Sequence, residues 1–116
     1  MEILYRRNKL SIIDEKIKEG KPLIVDFGSD TCAPCKMIKP VLEEIAEVYK
    51  DRLNVIILDV YENMEIAKEM GVMSVPTQFF YDSEGTVLGH HIGFIPKEGF
   101  DQIISEHLLA ADSEKA

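Results

Sequence analysis

Cys32 and Cys35 are the two cysteines of a 116-residue chain, and they stand two residues apart in the stretch DTCAPCK. A pair with this spacing can contribute to a metal site, staple the fold, or cycle between dithiol and disulfide. A closed zinc site wants four ligands, and His90, His91 and His107 are the remaining candidates. His90 and His91 are neighbours on an expected strand and point to opposite faces, so at most one joins the pair. A structural bridge is not required either, because a chain of this length buries a single core without staples. Redox chemistry is the favoured use of the three.

Position sharpens that reading. Cys32 falls at the end of an expected strand and just before an expected helix, where unpaired backbone N–H groups and the positive end of the helix dipole point at its sulfur. That setting favours the thiolate, the form that attacks disulfides, by about 0.3–2 kcal/mol from the dipole alone. Hydrogen bonds to the sulfur and the Lys36 charge add to this effect, and Asp30 opposes it. Pro34 suits a first helical turn. Cys35 lies three residues on, on the same helix face and one turn deeper, placed to attack a mixed disulfide formed at Cys32.

The elements that must hold the pair are legible from periodicity. PLIVDF, residues 22–27, is a short apolar run bounded by breakers, as a strand buried on both faces reads, with Asp26 a conspicuous intrusion. From Cys35 to Lys50, apolar residues including Ile38, Leu42 and Ile45 recur at helical spacing, with Pro40 inside the pattern. LNVIILDV, residues 53–60, predicts a second buried strand, and Asn63 is placed to cap a helix over EIAKEM that Gly71 ends. Thr77–Tyr81 and Thr86–Ile92, joined by DSEG, predict an antiparallel hairpin. A helix over residues 8–19 precedes the first buried strand, EILY is a candidate strand before it, and a last helix starts near Pro96. The order predicts an α/β domain over residues 1–110, a mixed sheet of about five strands with helices on both faces, and a frayed tail at 111–116.

Composition narrows the partners. The chain is 46% hydrophobic and 29% charged, with 13 Lys plus Arg against 21 Asp plus Glu and a net charge of −8. Nucleic acid and anionic lipid both need a basic footprint, so neither is expected as a partner. No apolar run approaches the roughly 20 residues that span a bilayer, and the charged start does not read as a signal peptide. Cytoplasmic residence is the expectation, and there a close cysteine pair is more often catalytic or metal-binding than structural.

LIVDFGSDTCAPCKMIKPVLEEIA, followed by SVPTQFFY and then IGF, resembles the thioredoxin family over nearly the whole chain. The three motifs fall in order on the expected elements, which a lone C-x-x-C would not do. The resemblance implies the thioredoxin fold and dithiol–disulfide exchange without a cofactor, with Cys32 the nucleophile, Cys35 the resolving thiol and a Cys32–Cys35 disulfide as product. It implies that Pro76 is cis and faces the cysteines, with the Val75 backbone free to pair with an extended substrate segment; the plainer reading is a turn breaker at a strand start. Asp26 matches the family's buried acid beneath the resolving cysteine, whose pKa burial raises and which accepts a proton from Cys35. The plainer reading there is a carboxylate satisfied by backbone donors. Gly93 matches a glycine beside the substrate groove, needed for close backbone approach, with loop flexibility as the alternative.

The departures concern the surroundings of the pair. The family commonly reads W-C-G-P-C with a second tryptophan earlier in the loop. This chain has no tryptophan, with Thr31 and Gly28 at those places and Ala33 for the glycine. The docking surface around Cys32 is therefore expected to be flatter and less apolar. The family's lysine partner for the buried acid would fall at Ile57, so that ion pair is expected to be absent. The resulting expectation is a monomeric reductase of protein disulfides, supplied with electrons by a thioredoxin-reductase-type donor. A glutathione-dependent, glutaredoxin-like enzyme and a thioredoxin-like binding or chaperone module are the alternatives.

Overall fold

The computed structural model describes residues 11–109. The expected strand at EILY, the first residues of the expected opening helix and the expected frayed tail lie outside them. The described elements are α1 (Ser11–Ile17), β1 (Leu23–Gly28), α2 (Ala33–Val48), β2 (Asn54–Asp59), α3 (Met64–Glu69), β3 (Thr77–Tyr81), β4 (Val87–Ile92) and α4 (Lys97–Ile103), which runs on as a π-helical turn over Ile104–Leu108. The strands form one sheet in the order β2-β1-β3-β4. The pair β1/β2 is parallel, and β1/β3 and β3/β4 are antiparallel. The sheet has four strands among the described residues, and EILY, the remaining strand of the about five expected, lies outside them.

Central position explains why PLIVDF lacks alternation. All six residues of β1 are buried, because strands flank β1 on both sides and helices cover both faces. Alternate side chains of a strand point to opposite faces. Ile24 and Phe80 pack with Ile38, Leu42 and Ile45 of α2 and with Phe100 of α4. Leu23, Val25, Phe27 and Phe79 pack with Ile13 of α1 and Ile66 of α3 on the other side. Asp26 and Gln78, each two residues from a member of the first set, share the α2 face of the sheet.

The helix α2 buries Cys35, Ile38, Leu42 and Ile45, one stripe at three- and four-residue spacing, and carries Pro40 in its interior. Its far end is tied to α4: Tyr49 Oη donates to Asp101 Oδ1 at 2.8 Å, and Lys97 Nζ reaches Asp101 Oδ2 at 2.9 Å. Beyond α4 the chain widens, with the Leu109 N–H bonding the Ile104 carbonyl at 2.8 Å. The wider turn keeps Ile104, Leu108 and Leu109 buried against the same core.

Two local expectations are refined. Asn63 occupies the N-cap position of α3 but its side chain makes no cap bond; its Nδ2 instead donates to the Asp59 carbonyl at 2.9 Å. The DSEG turn is held by Asp82 Oδ1, which accepts the N–H groups of Glu84 and Thr86, each at 2.9 Å. Gly85 closes that turn at φ +87° with Ile17 of α1 packed against it, so the turn is seated on the first helix.

Candidate active site

The end of β1 and the start of α2 place the cysteines. Cys32 is the N-cap of α2, in extended backbone conformation, and its sulfur accepts the Cys35 N–H at 3.2 Å. This is the backbone donor that a sulfur at a helix N-terminus is expected to find. The loop before it is braced by Ser29: Oγ accepts the Thr31 N–H at 3.2 Å, and the Ser29 carbonyl accepts the Cys32 N–H at 3.3 Å. Cys32 and Cys35 are joined as a disulfide with their Cα atoms 5.2 Å apart. The two sulfurs are not equivalent, since Cys32 is half-buried and Cys35 is buried.

Asp26 sits below the pair, 2% exposed. Burial pushes its carboxyl up to about 6, against the pull of a hydrogen bond from Gln78. That bond, Gln78 Nε2 to Asp26 Oδ1 at 2.9 Å, comes from a side chain and not from the backbone donors of the plainer reading. A Cβ on Gly28 would lie 3.4 Å from Cys35 Sγ and 3.6 Å from Asp26 Oδ2. Glycine at this position thus leaves carboxyl and sulfur facing a common space. That space opens into a cleft of about 300 Å³ lined by Asp26, Gly28, Cys35, Lys36, Ile57 and Asp59, among others. Ile57 is the register neighbour of Asp26 on β2 and is 39% exposed, so an aliphatic side chain stands where the family's lysine would be.

The turn into β3 supplies the opposite wall. The Val75–Pro76 peptide bond is cis, and the Val75 carbonyl oxygen lies 3.7 Å from Cys32 Sγ, a contact without a proton while the sulfur is in the disulfide. The Pro76 carbonyl accepts the Gly93 N–H at 2.8 Å, which joins Gly93 to the same corner. Gly93 has φ +107°, and the nearest atom to a Cβ there would be His91 Cε1 at 3.9 Å. Within the chain it is therefore the backbone conformation that requires glycine. Thr31, Ala33, Pro34 and Lys36, neighbours of Cys32 in the chain, are all exposed.

The surface beside Val75 carries a groove that the sequence did not suggest. A largely apolar groove of about 610 Å³ runs there, lined by Val60, Tyr61, Met64, Val72, Met73 and Val75, among others. Tyr61, Met64 and Met73 are 70%, 64% and 91% exposed, so apolar area persists without tryptophan. Sequence reasoning also missed Gln78 and His91. The available signal was Gln78 itself, a primary amide inside the buried strand TQFFY. Among the described residues no group of three or more His, Cys, Asp or Glu side chains is placed to hold a metal ion, and no helix is long and apolar enough to cross a membrane.

A buried sulfur beside a raised carboxyl, and a more accessible sulfur at a helix N-terminus, make an arrangement suited to moving a disulfide in and out of the chain. Comparison with known proteins points the same way. The thioredoxin family model matches residues 8–106. The chain is 43% identical to a thioredoxin of Staphylococcus saprophyticus over 98 residues, 84% of this chain and 92% of the relative. It is 42% identical to a thioredoxin of Bacillus subtilis over 86 residues, 74% of this chain and 82% of the relative. A thioredoxin of Staphylococcus aureus is 41% identical over 95 residues, 82% and 89% of the two chains.

Proposed function

Because the chain belongs to the thioredoxin family and is a thiol–disulfide oxidoreductase, we propose that it reduces protein disulfides, with Cys32 attacking, Cys35 resolving and Asp26 taking the proton. Disulfide substrates and a reductase donor are general to the family; the finer assignments are a thioredoxin-reductase-type donor, cytoplasmic residence and action as a monomer.

In the reduced protein the Cys32 thiolate attacks one sulfur of the substrate disulfide; a Cys32–substrate bond forms, the substrate S–S bond breaks, and the first substrate thiolate leaves and takes a proton from water. Cys35 then gives its proton to the Asp26 carboxylate, and its thiolate attacks Cys32 Sγ. The Cys32–Cys35 bond forms and the second substrate thiolate leaves. Two electrons have passed from the dithiol to the substrate, and the donor returns them. The Cys35 N–H on Cys32 Sγ supports Cys32 as the thiolate that attacks in the first step. The Val75 carbonyl beside Cys32 and the groove that ends at Val75 suit an extended substrate segment.

The observation that carries this reading is the asymmetry of the pair, with Cys32 half-buried at the surface and Cys35 buried over Asp26. Dithiothreitol-driven reduction of insulin is its test. Catalysis by the wild type and its loss in Cys32→Ser are expected; a Cys32→Ser variant as active as the wild type overturns the assignment and leaves a docking module in its place.

A further inference from the structure

Three strands bring three polar side chains into one row. Asp26 on β1 is the register partner of Gln78 on β3, and Gln78 is the partner of His91 on β4. Residues directly opposite on antiparallel strands share a face, and here they are bonded: Gln78 Nε2 to Asp26 Oδ1 at 2.9 Å, and His91 Nδ1 to Gln78 Oε1 at 3.1 Å. Gln78 is fully buried, and His91, at the other end of the row, is exposed.

A buried primary amide is costly unless both its ends are bonded. The two ends of Gln78 are alike in shape and opposite in function. With its NH₂ toward Asp26 the amide donates to a carboxylate; turned over, it would offer an oxygen, which only a protonated carboxyl can satisfy. His91 decides between the two when its Nδ1 carries the proton, because that N–H holds Oε1 on the β4 side. Neutral imidazole with Nδ1 protonated and imidazolium both supply that N–H.

We propose that Gln78, oriented by His91, is a positioning residue that holds Asp26 as a carboxylate. Its consequence for catalysis rests on the reading above, in which that carboxylate takes the proton of Cys35. Burial and the Gln78 bond act on the Asp26 carboxyl in opposite directions. The charged residues that line the same cleft are Asp30, Lys36, Lys39, Asp59 and Glu62, besides Asp26 itself. Gln78 is the side chain among the described residues that donates a hydrogen bond to it. Without Gln78, burial acts unopposed and the acid stays protonated further into the neutral range, where it cannot accept a proton.

The test is an NMR titration of the Asp26 side-chain carboxyl in the oxidised wild type, in Gln78→Leu and in His91→Phe, together with the pH profile of insulin reduction for each. Gln78→Leu is expected to raise the Asp26 midpoint by about one to two pH units, the worth of a hydrogen bond to a charged group. His91→Phe, on an exposed strand, keeps Gln78 and removes its anchor; it is expected to raise the midpoint by less. A midpoint unmoved in both folded variants overturns the proposal. A midpoint that rises while the activity profile stays in place upholds the role of Gln78 and instead removes Asp26 from the proton transfer.

Discussion

Asp26 Oδ2 and Cys35 Sγ face one empty position, each within 3.6 Å of the point where a side chain on Gly28 would begin. The buried acid and the buried Cys35 sulfur therefore meet across a glycine with no side chain between them. The carboxyl, raised to about 6 by burial, is mostly ionised at neutral pH yet basic enough to take a proton from a thiol about to attack.

The same burial makes Asp26 a pH-dependent cost to the fold. Its carboxyl lies near 6 in the folded protein against an ordinary value of 3.8. Between those values the folded state keeps a proton that the unfolded state has released, so stability falls as pH rises through the folded value. Conversion at about 1.4 kcal/mol per unit gives about 3 kcal/mol lost by pH ~7.5 and none below pH ~4. Asp26→Asn, whose amide oxygen still accepts from Gln78, is expected to be more stable than the wild type by about that amount at the higher pH and equal at the lower. Urea unfolding of the oxidised proteins at both values checks this, and equal gaps at both would refute it.

Ile57 is why β2 sets no cation beside that buried carboxyl. It neighbours Asp26 in the β1/β2 register and lines the cleft above it. Ile57→Lys is expected to lower the Asp26 titration midpoint by about one pH unit, the low end for a nearby opposite charge because the site is partly solvated. The carboxyl NMR titration reads this directly; a midpoint at or above the wild-type value would exclude a cation from the cleft.

Gly85 is the turn position where a substitution acts twice. Its φ of +87° disfavours any L side chain, and a Cβ there would stand 2.6 Å from Ile17 Cγ2. Gly85→Ala is expected to destabilise by about 2–4 kcal/mol, combining the left-handed penalty with overpacking. The shift in urea midpoint at unchanged m-value measures it.

Met73 separates docking from chemistry. Being 91% exposed, it can be changed with little effect on stability, within about 0.5 kcal/mol. Met73→Glu puts a charge in the apolar groove beside Val75 and is expected to raise KM for insulin several-fold with kcat nearly unchanged. A fall in kcat at constant KM would place Met73 outside substrate docking.

Much of this was legible in the order of residues. The buried run PLIVDF, the stripe Cys35–Ile38–Leu42–Ile45 and the hairpin about DSEG each follow from local periodicity, and so does the placing of Cys32 between strand and helix. What was hidden is lateral. Gln78 reaches Asp26, and His91 reaches Gln78, only because β3 lies between β1 and β4 in a particular register, and spacing along the chain carries no trace of that. The groove was hidden for the same reason, since Tyr61 and Met64 come to it from one connection and helix and Met73 from the next loop. Asn63 shows the limit of a local rule: a side chain of the right type at a cap position accepts no cap bond and instead donates, through Nδ2, to the Asp59 carbonyl.

The central claim is the order of the two cysteines, and trapping measures it most directly. Cys35→Ser and Cys32→Ser, each reduced and then mixed with insulin in the absence of dithiothreitol, are compared by non-reducing electrophoresis and mass spectrometry. Cys35→Ser is expected to accumulate a covalent adduct through Cys32 that dithiothreitol releases, and Cys32→Ser to form none. An adduct through Cys35 in Cys32→Ser, with none in Cys35→Ser, would contradict the account.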